Sequence, residues 1–189
     1  LIVGLMPNLS EHVKNVAGGC VTPVVCIPHG IEPSLVNSSL KAISRSNFPS
    51  LAPFKYTICH AGSIGFDNAL ETFFQCASLM IDRDDLCFAL LGDGYLKAYY
   101  QVKYSYLSNV VFLPRVAKDS VVPFLRSCDI LYFSTHDSPV LRYGQSLNKL
   151  IDYMMSARPI IGSFSGYPSM INEAGCGSFV PAGDPDALK

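Results

Sequence analysis

From Lys55 onward, short apolar runs alternate with segments in which apolar residues recur every three or four positions. The runs have the length and composition of buried strands, and the periodic segments have those of amphipathic helices. Such alternation predicts an α/β fold in which a doubly wound parallel sheet carries helices on both faces. The predicted strands are YTICHAG, LCFALLG, NVVFLP, DILYF, PIIGSF and GSFV, and the predicted helices are 67–81, 95–106, 119–127, the segment after Ser146, and 168–174.

The chain before Lys55 has a different character. Residues 1–27 predict a strand, a helix and a second strand, but they are too few to form a domain alone. Residues 28–54 include a stretch rich in Ser, Asn and Pro and predict a linker, whereas residues 55–189 predict the main domain. The chain starts without Met and ends on DPDALK, which has the form of a helix start. We therefore expect a fragment of a longer protein.

The segment Tyr143–Ile161, YGQSLNKLIDYMMSARPII, combines a polar loop, an amphipathic helix and the start of a buried strand. We predict Ser146 as the N-cap of this helix, because serine favours that position and an apolar stripe follows it. At 3.6 residues per turn, Asn148, Lys149 and Asp152 lie on the opposite, polar face. The apolar stripe consists of Leu147, Leu150, Ile151 and Met154.

The polar face of this helix carries groups that suit a ribose diphosphate. Free N–H groups and the helix dipole favour an anion at the helix start, and Lys149 adds a positive charge. One turn deeper, the Asp152 carboxylate can accept hydrogen bonds from two vicinal hydroxyls. In the alternative interpretation, Lys149 and Asp152 form a solvated ion pair that contributes little to stability. Both interpretations place Lys149 on an exposed helix face.

Two glycine-rich turns follow the first two strands of the main domain. GSIG at 62–65 lets the backbone approach a ligand closely and precedes a helix for which Asp67 is the predicted cap. The third glycine of the dinucleotide fingerprint is missing at Ala69 or Leu70, so a plain strand-to-helix turn is equally compatible. In GDG at 92–94, the aspartate is either a ribose ligand or part of a tight turn.

Composition narrows the classes of function. The formal net charge is −1 and Lys and Arg do not cluster, which argues against nucleic acid or a polybasic membrane surface. Seven cysteines lie mostly in apolar runs without a CxxC pair, which predicts buried reduced thiols in a cytoplasmic protein. The scattered histidines lack the paired spacing of zinc ligands. The opening LIVGLMP is too short to span a membrane and lacks the features of a signal peptide.

The sequence also argues against a serine hydrolase. GQSLN resembles a nucleophile elbow only in part, because Asn148 stands in place of the closing glycine and no strand runs directly into Ser146.

Five segments, in this order, resemble the nucleotide-binding C-terminal half of GT-B glycosyltransferases, specifically the GT4-like retaining enzymes of bacterial surface-polysaccharide assembly. CIPHGIEP is similar to their interdomain hinge, HAGSIGFDNALETF to their first donor-domain strand and glycine loop, and LLGDGYLKAYY to their GDG turn. NVVFLPRVAKDSVVPFLRSCDILYF and SLNKLIDYMMSARPII are similar to two later segments. The resemblance covers nearly the whole chain.

This resemblance implies a Rossmann-like domain that forms one half of a GT-B two-domain architecture. Residues 1–27 would then be a remnant of the N-terminal, acceptor-side domain, and residues 28–54 would be the interdomain linker. Residues 55–189 would be the nucleotide-sugar-binding domain, truncated at its C-terminus.

The resemblance also implies roles for individual residues. Asp152 matches the acid that holds the ribose diol, and Lys149 with the amides of residues 144–146 lies at the diphosphate. The loop of Gly62, Ser63 and Gly65 faces the phosphates, and residues 114–116 meet the base. The implied nucleotide-sugar-binding set is Gly62, Ser63, Gly65, Arg115, Gly144, Gln145, Ser146, Asn148, Lys149 and Asp152.

Two departures from the family pattern affect the site. Gly144 replaces the acid that commonly contacts the donor sugar, so the sequence identifies neither the sugar nor a catalytic residue. Basic residues just after the glycine loop are missing as well, which leaves Lys149, with help from Arg115 or Arg142, as the cation that stabilises the diphosphate.

We therefore predict the donor-binding domain of a retaining, metal-independent glycosyltransferase that needs no cofactor. It would transfer a hexosyl or N-acetylhexosaminyl group from a nucleotide sugar, most consistent with a UDP-sugar, to a glycan or lipid-linked acceptor in surface-polysaccharide biosynthesis. The acceptor would bind the missing N-terminal domain, so the fragment alone would be inactive. We expect no nucleic-acid partner, a cytoplasmic location that extends to the inner face of the membrane, and at most peripheral membrane association.

Two alternatives stay open at this stage. A nucleotide-sugar epimerase of GT-B-like fold would use the same diphosphate and diol contacts, and a non-catalytic nucleotide-binding module would bind without turnover. The incomplete glycine fingerprint argues against an NAD enzyme.

Overall fold

The structure, a computed structural model, describes residues 1–19, 21–31 and 43–189. Cys20 and residues 32–42 of the predicted linker lie outside this description. The strands are β1 (Ile2–Gly4), β2 (Val24–Cys26), β3 (Tyr56–Ala61), β4 (Leu86–Leu91), β5 (Val110–Leu113), β6 (Ile130–Ser134), β7 (Ile160–Ser163) and β8 (Gly177–Val180). The α-helices are α1 (Leu9–Ala17), α2 (Glu71–Leu79), α3 (Lys97–Lys103), α4 (Lys118–Arg126), α5 (Asn148–Met155), α6 (Met170–Glu173) and α7 (Pro185–Leu188).

The main sheet has six parallel strands in the order β5-β4-β3-β6-β7-β8. Successive strands are added on one side of β3 as far as β5 and on its other side from β6 onward. The gap between β3 and β6 is therefore the switch point of a doubly wound sheet. This arrangement confirms the predicted fold class. β1 and β2 form a separate parallel pair.

Two apolar cores lie on opposite faces of the main sheet. On one face, small strand residues such as Cys59 and Ala89 pack under α4 and α5, whose Phe124 and Tyr153 are fully buried. On the other face, α2 and α3 supply aromatic rings, and Phe73 stacks on Tyr132 with ring centroids 4.6 Å apart. Helices on both faces shield the parallel strands from water, as such sheets require.

The cysteines follow this division between buried core and exposed surface. Free thiols lie buried at Cys59, Cys76, Cys87 and Cys128, which confirms the prediction for these four positions. Cys26 is exposed at the end of β2, so the prediction is wrong there.

The second predicted helix begins later than expected. Residues Phe66–Asn68 form a 3₁₀ turn, Ala69 adopts a left-handed conformation with φ 42°, and α2 then starts at Glu71. Asp67 is therefore not its N-cap, and that prediction is wrong. The left-handed residue ends the first turn because a helix cannot continue through a positive φ.

Residues 43–54, within the predicted linker, pack against the main domain. Leu51 is fully buried in the core under α4. The Arg45 guanidinium donates to the carbonyls of Leu51 and Lys55, and its backbone N–H donates to the Ser127 hydroxyl at 2.8 Å. These contacts hold the chain in place just before β3, while the predicted domain boundaries stay a prediction.

The two glycine-rich turns pack backbone against backbone. Gly62 N–H donates to the Leu91 carbonyl at 3.0 Å, and Ile64 N–H donates to the Asp93 carbonyl at 2.8 Å. Gly62 and Gly92 have φ angles of 144° and 143°, and a Cβ on Gly92 would lie 2.0 Å from the Gly62 carbonyl oxygen. Glycine is required here because any side chain would separate the turns.

We expect Gly92→Ala to lower the free energy of unfolding by about 3 kcal/mol or more, because the added methyl combines a collision with backbone strain. Gly175→Ala is the matched control: its φ is 59°, but no atom lies within 4 Å of the added Cβ. That change should cost only about 1 kcal/mol. Urea denaturation measures both values, and equal losses would contradict the close packing of the two turns.

Candidate functional site

The sheet opens at its switch point. β3 and β6 pair only at Ile58↔Ile130 and Cys59↔Leu131, although both strands continue further. The hydroxyl of Tyr153, a fully buried residue of α5, bridges the opening. It accepts a hydrogen bond from Ala61 N–H at 2.8 Å and donates one to the Tyr132 carbonyl at 3.0 Å. These bonds fix α5 beside the ends of β3 and β6.

A cleft of about 470 Å³ lies beyond the C-terminal ends of β3, β4 and β5. Its volume is typical of sites for small molecules, and its location is the expected one for ligands of doubly wound sheets. Both glycine-rich turns, the chain after β5, and helices α4 and α5 form its walls. The lining residues are Ala61, Gly62, Ser63, Leu91, Gly92, Asp93, Arg115, Val116, Lys118, Val121, Lys149, Asp152 and Tyr153.

The structure brings together half of the residues predicted for the site. Gly62, Ser63, Arg115, Lys149 and Asp152 line the cleft.

The other predicted residues lie elsewhere. A Cβ on Gly65 would sit 3.1 Å from the Tyr95 ring, so this glycine packs away from the cleft. Asn148 lines a smaller neighbouring pocket of about 190 Å³ together with His29–Ile31. Gly144, Gln145 and Ser146 are not among the lining residues of either pocket. The binding roles of all these residues stay predictions.

Ser146 is not the N-cap of α5, so that prediction is wrong. The helix begins at Asn148, and Leu147 occupies the cap position with an extended backbone. Leu147 also packs against the core, and this apolar contact overrides the preference of serine for the cap. Within the described chain, the buried Ser146 hydroxyl and both amide atoms of Gln145 have no hydrogen-bond partner.

The chain before α5 contacts the N-terminal segment instead of the cleft. Gly144 N–H donates to the Leu141 carbonyl at 3.0 Å, so this amide is not available to a phosphate. A Cβ on Gly144 would lie 2.4 Å from Pro7 Cδ. Asn8 N–H donates to the Tyr143 carbonyl at 3.0 Å and strengthens this contact.

Lys149 is partly buried, so the prediction that it lies on an exposed helix face is wrong. Its ammonium lies about 3.5 Å from the position of a Cβ on Gly62 and donates to the Asn68 side-chain oxygen. Among the residues that the structure describes, no carboxylate lies within 4 Å of this ammonium. Burial without an opposite charge lowers the pKa of Lys149 to about 8.

The buried side chain nearest to Lys149 on β3, that of His60, is neutral. His60 is fully buried, and its Nε2 lies 3.4 Å from the Ser63 carbonyl. Burial first, and the Lys149 charge second, hold the pKa of His60 well below its usual range. The imidazole is therefore uncharged at neutral pH and adds no second positive charge beside Lys149.

Asp152 pairs with Lys118 of α4, not with Lys149. The Lys118 ammonium lies 2.7 and 2.5 Å from the two carboxylate oxygens. The solvated Lys149–Asp152 pair of the alternative interpretation is thus wrong. The Asp152 side chain is 17% exposed and that of Lys118 66% exposed, so the carboxylate lies on the cleft wall and the cation at its rim.

The two arginines proposed as helpers of Lys149 differ in location. Arg115 is exposed and lines the cleft. The Arg142 guanidinium lies over the Tyr143 ring, 4.7 Å from its centroid, and is not a lining residue.

Three side chains of the site are missing from the sequence-based set. Lys118 holds Asp152, Asn68 contacts Lys149, and Lys97 donates to the carbonyls of Gly92 and Leu113 at 2.8 and 3.1 Å. Of these three residues, only Lys118 could have been suggested by the sequence, because it lies at the end of the loop that follows a predicted strand. Asn68 and Lys149 are 81 positions apart, and no local pattern joins them.

A family model described as "Glycosyl transferases group 1" matches residues 55–189. The chain belongs to this family. No curated protein matches the sequence significantly.

Solved structures of glycosyltransferases share the GT-B fold with this group 1 member. WaaG, a glycosyltransferase involved in lipopolysaccharide biosynthesis, superposes with a TM-score of 0.67 at 17% identity, covering 95% of this chain and 48% of WaaG. Anabaena HepE, in complex with UDP and glucose, gives 0.63 at 16% identity, covering 100% and 51%. The C-terminal domain of LpcC from Francisella tularensis gives 0.56 at 16% identity, covering 72% of both chains.

These comparisons confirm the resemblance inferred from the sequence motifs. The chain spans about half the length of WaaG and of HepE. At identities this low, the likeness to the solved structures shows the fold alone.

The described residues contain neither a cluster suited to a metal ion nor a helix suited to span a membrane. No group of three or more His, Cys, Asp or Glu side chains there has an arrangement suited to a metal ion. No helix in the same residues has the length and apolar character needed to cross a membrane.

We expect Lys149→Met to raise the free energy of unfolding at pH 7 by up to about 3 kcal/mol, since the folded protein must hold a buried ammonium with a lowered pKa. Between pH 8 and the unfolded value of 10.5, the folded form binds fewer protons, so wild-type stability rises with pH and the advantage of the variant disappears. Urea denaturation at pH 7 and pH 9.5 measures this. Exposed Lys14 provides the control Lys14→Met, which should change little at either pH; a destabilised Lys149→Met would contradict the expectation.

Proposed function

We propose that the chain is the donor-binding domain of a retaining, metal-independent glycosyltransferase that uses a UDP-sugar. The observation that carries this proposal is the Lys149 ammonium, which is partly buried beside the Gly62 turn and has no carboxylate partner among the described residues. Buried charges are normally paired, so this cation favours an anionic ligand in the cleft. A diphosphate next to the glycine turn provides that charge.

The remaining walls suit the other parts of a nucleotide. Asp152 lies on the same helix as Lys149, one turn deeper, and its carboxylate retains lone pairs for the two ribose hydroxyls beside its bonds to Lys118. Arg115 and Val116 line the far side of the cleft, where the base would lie. The HepE complexes with UDP and with UDP-glucose support a uridine nucleotide.

In this proposal the site acts mainly by electrostatics. Negative charge grows on the diphosphate as the bond to the sugar breaks, and a cation fixed beside it stabilises the transition state more than the ground state. In the proposed site Lys149 supplies this positive charge without a metal ion. The exposed Arg115 side chain adds charge at the rim.

The proposals for the acceptor substrate and for the cellular location rest on a structural neighbour and not on the cleft itself. WaaG acts in lipopolysaccharide biosynthesis, which supports a glycan or lipid-linked acceptor in surface-polysaccharide assembly on the cytoplasmic side of the membrane. An epimerase would make the same diphosphate and diol contacts, and product analysis with an enzyme that contains both halves distinguishes the two reactions.

We expect UDP to raise the melting temperature of the protein, because a ligand that binds only the folded state adds about 2.7 kcal/mol of stability at about 100 times its Kd. Calorimetric titration with UDP, GDP, ADP and NAD at pH 7 should give the highest affinity for UDP. The affinity for UDP should fall as the pH rises through 8, because Lys149 loses its proton there in the protein without ligand. A response to NAD without one to millimolar UDP would refute the donor-binding proposal.

We expect Asp152→Asn to weaken UDP about tenfold or more, because the ribose hydroxyls lose charge-assisted hydrogen bonds. The same change should leave the affinity for 2′,3′-dideoxy-UDP almost unaltered, since that ligand has no diol. Asp84→Asn, at an exposed position outside the cleft lining, controls for the change in net charge. Equal losses for both ligands would assign Asp152 a structural role only.

A further inference from the structure

Asn68 connects the Lys149 side chain to the glycine loop. Its side-chain oxygen accepts a hydrogen bond from the Lys149 ammonium, and its amide nitrogen donates to the Ser63 carbonyl at 2.9 Å. Its own backbone is held on both sides, because its N–H donates to the Gly65 carbonyl at 3.3 Å and its carbonyl accepts from the Ser134 hydroxyl at 2.6 Å. One residue thus links the phosphate-facing loop, the end of β6 and the cation.

We propose that Asn68 is the positioning residue of the diphosphate site: it aims the Lys149 ammonium at the anion and, because its side chain is neutral, leaves that charge uncompensated. The inference rests on the proposed function, since it concerns the same anion. A carboxylate at position 68 would accept the same hydrogen bond but would also neutralise the cation. The amide therefore combines a fixed geometry with a charge that stays available to the ligand.

The surroundings of Lys149 support this assignment. His60 below it is neutral, and Asp152, on the same helix, is already paired with Lys118 of α4. The other charged groups that line the cleft are Asp93 after β4 and Arg115 after β5. Asp93 accepts a hydrogen bond from Gly94 N–H at 2.8 Å and is not among the groups within 4 Å of the ammonium. Asn68 is thus the side chain that fixes where the cation points.

The decisive variant is Asn68→Asp, tested with UDP and with uridine by calorimetry. UDP should bind about tenfold more weakly or worse, because the new carboxylate pairs with Lys149 and repels the diphosphate. Uridine, which lacks phosphate, should bind as it does to the wild type. Gln75→Glu makes the same chemical change at an exposed position of α2 and should alter neither affinity.

Two further readouts separate positioning from a structural role. At pH 8 the wild type should take up a fraction of a proton on binding UDP, measured in buffers of different ionisation enthalpy, because the anion raises the Lys149 pKa from about 8. In Asn68→Asp the carboxylate already keeps the lysine charged, so this uptake should disappear. In a Lys149→Met background, the neutral change Asn68→Ala should weaken UDP less than it does in the wild type, since Asn68 acts through the lysine.

The outcomes distinguish the inference from the proposed function. If wild-type protein binds UDP no better than uridine, the diphosphate site itself is refuted. If wild type prefers UDP but Asn68→Asp binds UDP equally well and takes up the same proton, only the role of Asn68 is refuted. A parallel loss of UDP and uridine affinity, with a lower melting temperature, would likewise assign Asn68 to the fold instead of to the cation.

Discussion

The site depends on one buried hydroxyl at the point where the sheet divides. A parallel sheet leaves backbone groups unpaired where neighbouring strands separate, and such groups are costly when they are buried. Tyr153 satisfies the Ala61 N–H and the Tyr132 carbonyl at once, so β3 and β6 diverge without unpaired groups at these two positions. Because Tyr153 belongs to α5, the same two bonds set the position of the helix whose Lys149 and Asp152 enter the cleft.

The cleft combines this rigid support with an unfavourable charge. Burial lowers the pKa of Lys149, which means that the folded state is less stable with the lysine protonated than with an apolar residue in its place. A neutral amide from Asn68 holds the cation, and a neutral His60 lies beneath it. A carboxylate in place of this amide would pair with the cation, so the amide leaves an unfavourable charge that, in the proposed site, is available to a ligand.

The sequence predicted the fold better than the site, for physical reasons. Buried strands and amphipathic helices have local periodicities, which is why the order of elements and the parallel sheet were confirmed and GSFV matched β8 to the residue. The start of α5 was misplaced because the core contact of Leu147 outweighs the local preference of Ser146. The partners of Asp152 and Lys149 lie on distant elements, and no local pattern encodes them.

The family departure at Gly144 coincides with close packing against the N-terminal segment. Where the resemblance places an acid, this chain has a glycine with φ 109° whose α-carbon packs against Pro7. A side chain at this position would strain the backbone and collide with the proline ring. The hydrogen bond from Asn8 to the Tyr143 carbonyl holds the two segments at this distance. The glycine and the close contact with the N-terminal segment therefore fit together, and a glutamate at position 144 is compatible only with a structure in which Pro7 has moved away.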